Sequence, residues 1–174
     1  MAEFAKGVLK EEIGEVSHSI DLASYLGRKP TPEEKQAFAE AAIETIKQRT
    51  LSNQDVNGDK FEQYSKEYAD KKGVSRSSVD LFLEGDMLNS LNRNKSGERV
   101  NEVKIKVKGK LNTLKSHNHQ TGQTLPQRRW FGLLESEAKE IANAIKNETE
   151  DRSGRVTLGA LRAAIEGLGL EQEN

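Results

Sequence analysis

The residues best suited to acid–base or metal chemistry are three histidines, His18, His117 and His119. A neutral imidazole ligates zinc, and its proton exchanges near neutral pH. The run His117-Asn118-His119 carries the letters of an HNH nuclease, but in those enzymes the three residues are dispersed over a ββα fold. Histidines at i and i+2 share a face only on a strand. A metal held there would need further ligands, and the chain has no cysteine and no cluster of carboxylates nearby in sequence. The run therefore reads as a polar loop. Asp80, Glu84 and Asp86 lie close together, yet a chain with 28 acidic residues among 174 produces such spacings freely. Asn53–Asp59 places oxygens at Asp55, Asn57 and Asp59, as a calcium loop begins. Its glycine, Gly58, precedes the third ligand, and Lys66 stands where the twelfth position needs a glutamate, so the segment reads as a turn. No Gly-x-Ser-x-Gly elbow and no glycine-rich phosphate pattern occurs. These residues give no support to an enzyme and imply neither cofactor nor metal.

Charge patterning carries more information. From Arg93 to Arg129 there are ten basic and two acidic residues, while the remainder holds 17 basic and 26 acidic, for a net charge of −1 overall. A basic middle between acidic flanks fits nucleic acid or an acidic neighbour, and equally a solvated lysine face. Within it, Val103, Ile105 and Val107 alternate with Lys104, Lys106 and Lys108, which predicts a strand over Val100–Lys108 with one apolar face and one row of ammonium groups. Those lysines also suit protection of an exposed sheet edge. No aromatic residue interleaves with them, so a base-stacking platform is not expected, whereas non-specific contact with duplex backbone is compatible.

The elements that must position these residues follow from periodicity. Thr31-Pro32-Glu33-Glu34 reads as a capping box with proline in the first turn, followed by Phe38, Ala41, Ala42 and Ile46 at helical spacing, so a helix is expected from Pro32 to about Thr50. Residues 1–29, interrupted by Gly7 and Gly14, read as helical pieces. Phe61, Tyr64 and Tyr68 are spaced like one helical face, Val79–Leu83 reads as a short strand, and Asp86–Leu91 as a short helix led by an Asp cap. Leu134, Ala138, Ile141, Ala142 and Ile145 form one helical stripe, and Leu158, Leu161, Ile165 and Leu168 another. With aromatics at only 5%, the core falls to Val, Ile, Leu and Ala, which leaves room for partner subunits to complete apolar surface. No apolar run approaches the roughly 20 residues of a membrane span, and the N-terminus lacks the pattern of a secretory signal. The expectation is a chain made in the cytoplasm with no membrane partner.

One stretch carries a specific likeness. His119-Gln120-Thr121-Gly122, a gap, and then Pro126-Gln127-Arg128-Arg129-Trp130-Phe131-Gly132-Leu133 resembles the closing motif of the virion-morphogenesis, or tail-completion, family of Mu-like and P2-like tailed phages. That motif runs roughly His-Gln-x-Gly … Pro-x-Arg-Pro-Phe-Leu-Gly-Leu-Ser and leads into an acidic amphipathic helix. Upstream, Asp55, Gly58, Phe61, Tyr64, Tyr68, Lys72-Gly73 and Val79 to Leu88 resemble the middle of related neck and tail proteins, so residues 50 to 148 follow the family's order. Arg129 stands where proline is expected, and Leu134 replaces the serine that would cap the next helix.

What the resemblance implies is a structural virion protein, located in the particle and assembled in the host cytoplasm, that completes the tail or neck. Its partners would be other neck and tail proteins and further copies of itself in a ring. The expected fold class is α+β, a small antiparallel sheet flanked by long N- and C-terminal helices. Residues 1–30 are expected as an N-terminal helical extension, 31–150 as the tail-completion-like domain, and 151–174 as a C-terminal helical extension. Pro126 should start an extended segment from which Trp130 and Phe131 point to opposite sides, at least one ring being buried. Candidate interface or DNA-path residues are Lys104, Lys106, Lys108, Arg128, Arg129, Trp130 and Phe131. The alternative is a non-specific nucleic-acid-binding protein using the basic strand 104–108.

Overall fold

The computed structural model describes residues 2–81, 85–123, 125–151 and 158–167. It is an α+β fold. Strands β1 (Gly7–Glu12), β2 (Glu15–Asp21), β3 (Leu91–Arg93) and β4 (Glu102–Val107) form one antiparallel sheet in the order β1-β2-β4-β3. Helices α1 (Leu22–Leu26), α2 (Pro32–Leu51), α3 (Lys66–Lys72), α4 (Asp86–Asn89), α5 (Lys110–Thr121), α6 (Glu135–Asp151) and α7 (Leu158–Ile165) complete it.

Residues 1–30 are not a helical extension. They form the β1–β2 hairpin, and only Leu22–Leu26 is helical. The cause lies in a period of two that a histidine disguises: Val16, His18 and Ile20 face the core while Ser17, itself buried, and Ser19 alternate with them on the opposite face. Gly14 sits in the two-residue connection between the paired Glu12 and Glu15. β2 pairs along its length with β4, matching His18 to Ile105 and Ile20 to Val103. β4 is thus an inner strand, flanked by β2 and β3, and its lysines do not guard an edge. The strand expected over Val79–Leu83 is not one as far as Leu81, which adopts φ 56°; residues 82–84 lie outside the described residues, as does Leu168. β3 fills the place beside β4 instead.

Cross-strand partners point to the same face, so Leu9, Val16, His18, Ile20, Leu91, Val103, Ile105 and Val107 all look inward. They join Phe38, Ala42 and Ile46 of α2, Ile141 and Ile145 of α6, and Leu161 and Ile165 of α7 in one core. α2 runs as its sequence requires: Thr31 Oγ1 accepts from Glu34 N–H, and the Glu34 carboxylate accepts from Thr31 N–H. Glu34 also holds Arg28 through both oxygens, at 2.8 and 2.9 Å. The aromatic helix is shorter than its spacing predicts. Ser65 caps α3 at Lys66, which leaves Phe61 and Tyr64 on an extended approach, both buried. The Asp55 turn forms as expected, the Asp55 carboxylate accepting from Asn57 N–H and Asp59 N–H.

Candidate assembly surface

The closing motif carries buried residues from Gln120 to Leu133, and several of them have a local task. Gln120, fully buried on α5, accepts from the backbone N–H groups of both Trp130 and Phe131 at 2.8 and 3.0 Å. Its amide donates to the Phe131 carbonyl and to Glu11. The extended segment thus satisfies buried backbone groups on a side chain in place of a neighbouring strand. The His119 carbonyl accepts from Arg128 N–H at 2.7 Å. Arg128 is buried, donates to the carbonyls of Glu62 and Gln63, and lies over the Tyr64 ring at 5.3 Å. Arg129 pairs with Glu11 at 2.9 Å and covers the Phe4 ring. Gly132 turns the chain with φ 118° just before α6, where an added Cβ would meet the Phe4 ring at 2.6 Å.

Trp130 and Phe131 are both fully buried, packed edge to face with centroids 5.6 Å apart. Their rings belong to the core, so as contacts to a neighbouring subunit they are ruled out in this fold. The missing serine cap is replaced within the chain: Leu134 N–H donates to Glu137, the reciprocal half of a capping box. Arg49, from the last turn of α2, grips both oxygens of Glu137 and donates to the carbonyls of Trp130 and Gly132. Sequence reasoning missed Arg49, although its position three residues beyond Ile46 puts it on the apolar stripe of α2.

The lysine row divides. Lys104 is held by Glu15 at 2.6 Å, with its side chain 14% exposed, and Lys10 approaches the same carboxylate at 3.7 Å. The Lys104 ammonium and the Ser17 hydroxyl draw the Glu15 carboxyl down to about 2. The outer sheet face is thus interleaved with carboxylate and is no uniform basic strip. Lys106 and Lys108 sit farther along, at the corner where β4 runs into α5. There Ile13, Glu15, Lys106, Lys108, Lys110 and Thr113 line a groove of about 260 Å³.

The His117-Asn118-His119 run is helical, within α5, and not a loop. α5 defies ordinary periodicity because it buries Thr113, Ser116, His117 and Gln120 and exposes Leu111 and Leu114. Burial, with help from the Arg128 charge, pushes His119 down to about 4. Burial likewise holds His18 near 4; its Nδ1 accepts from Leu133 N–H and its Nε2 lies 3.1 Å from the Ala5 carbonyl. Among the described residues no group of three or more acidic or histidine side chains is arranged to hold a metal ion. No helix among them is long and apolar enough to cross a membrane.

Fold and site together define an α+β protein whose segment from Gln120 to Leu133 builds part of its interior and in which Lys106, Lys108 and Lys110 line one corner of the sheet. Compared with known protein families, curated proteins and solved structures, the chain matches none.

Proposed function

We propose that the chain is a structural assembly protein of a tailed phage particle, completing the tail or neck for head–tail joining and making no chemistry of its own. One observation supports this reading above the others. The segment that resembles the tail-completion motif is used throughout as architecture: Gln120, Arg128 and Gly132 lock one extended strand-like segment against α5, the Tyr64 approach and α6. A motif whose Gln120 and Arg128 side chains are spent on buried backbone groups is what a subunit with a structural task requires. The neighbours would be other neck and tail proteins and further copies of this chain in a ring.

The alternative, duplex binding through the basic strand, draws on Lys106 and Lys108 but loses Lys104 to Glu15. It would show as a steep fall of affinity with salt, one counterion released per phosphate contacted. Electron microscopy of a lysate made by phage lacking this gene tests the assembly reading. Full heads beside separate tails of finished length are expected. Normally joined virions would overturn it.

A further inference from the structure

The corner groove joins two features that a lone subunit does not need. Ile13, at the tip of the hairpin, is 65% exposed, and Leu111 and Leu114 on the outer face of α5 are 63% and 43% exposed. Around them stand Lys106, Lys108, Lys110 and Lys115, none with an ion-pair partner among the described residues. α5 begins at Gly109 with no side-chain cap and no acidic residue in its first turn, and Lys110 occupies its first position. A cation there opposes the helix dipole, so an anionic neighbour would relieve both. Glu15 is the carboxylate in the groove wall, and it is already tied to Lys104 and Lys10.

The complement of this surface lies in the same chain. After α7 the sequence runs Glu166-Gly167-Leu168-Gly169-Leu170-Glu171-Gln172-Glu173-Asn174, leucines followed by carboxylates with no basic residue. We infer that the groove receives residues 168–174 of a second copy, the carboxylates among Lys106, Lys108 and Lys110 and the leucines against the exposed Ile13. α7 packs mainly on α2 and α6, whereas α5 packs mainly on α4 and the strands, which places the departing chain and the groove among different neighbours and favours a second copy. The seven residues from 168 to 174 span at most about 25 Å, enough to cross to an adjoining subunit. Groove and tail are different patches, so the contact is head-to-tail and closes into a ring when the rotation between copies permits. The contact deepens the assembly reading but rests on the chain alone, so its failure and the failure of head–tail joining are separable results.

Sedimentation velocity of the full chain tests it with two charge reversals, K108E/K110E and E171K/E173K. The wild type is expected to self-associate at low salt and to dissociate at high salt. Each variant alone is expected to be monomeric, because the charge complementarity between groove and tail is then lost. Their equimolar mixture is expected to associate again, since the unaltered tail of the groove variant meets the unaltered groove of the tail variant. A monomeric wild type, variants that associate like wild type, or a mixture that stays monomeric would each overturn the contact. Should K108E/K110E lose its circular dichroism, K108Q/K110Q replaces it, with weakened association expected and unchanged association overturning.

Discussion

At the scale of single residues, the molecule rests on side chains that stand in for backbone. Gln120 is the clearest: its carbonyl oxygen takes two N–H groups and its amide returns one bond to the same segment. Truncation to alanine strands two buried donors, each costing about 1–3 kcal/mol when left unpaired. Gln120→Ala is therefore expected to lose about 3 kcal/mol of stability, read as a lower urea midpoint, with Gln120→Glu intermediate because it keeps both acceptors but not the donor. A loss below about 0.5 kcal/mol, the ordinary level for a surface change, would show that the segment holds itself. Arg49 does parallel work on the carbonyl side of the same turn, fixing the entry to α6 through Glu137.

At the scale of elements, the β1–β2 hairpin depends on a close approach. Gly7 has φ 142°, and a Cβ there would sit 1.8 Å from the Ser19 carbonyl oxygen, inside the ladder that carries β1. Gly14, in the turn, has nothing within 4 Å and no positive φ. Gly7→Ala is expected to cost several-fold more stability than Gly14→Ala, on the order of 2–4 kcal/mol against less than about 0.5. Equal denaturation midpoints for the two variants would contradict this placement of the hairpin. These same residues explain why the sequence misled. α2, β4 and α6 could be read directly, because an apolar stripe at the period of the element marks each of them and a capping box marks the start of α2. The hairpin could not: its inward residues include His18, and its glycines look like helix breaks. α5 was hidden by the opposite exchange, with polar residues inside and leucines outside, a choice that makes sense only once the Trp130–Phe131 segment needing Gln120 is in place. The burial expected of at least one ring extends to both Trp130 and Phe131, because sequence shows that rings are present and not which way a segment is pinned.

At the scale of the whole molecule, one core runs from Ala5 to Ile165, and two neutral histidines are built into it on either side of the closing segment. His18 and His119 both bind protons only near pH 4 in the folded chain, against about 6.5 when exposed. As pH falls through 6.5 the unfolded chain takes up protons that the folded chain refuses, so stability must fall with it; below about pH 4 both states are protonated and this loss levels off. The stabilisation is thus fully present above pH 6.5. For His18, shielded from solvent on all sides, the window corresponds to about 3 kcal/mol, and His119 adds in the same direction by less because its ring is partly open to water. Trp130 is the only tryptophan and is fully buried beside this region, so its fluorescence reports the loss of the shared core. Urea midpoints followed by that signal are expected to drop steadily from pH 7 to pH 4.5. Far-ultraviolet circular dichroism is expected to give the same midpoints, because no described element lies outside reach of the one core. His18→Gln, which keeps an acceptor for Leu133 N–H and a donor for the Ala5 carbonyl, is expected to flatten more than half of that pH dependence. A midpoint constant from pH 7 to 4.5 in the wild type would mean that the histidines are hydrated, and with it the packing of the closing segment against β2 and α5 would have to be redrawn.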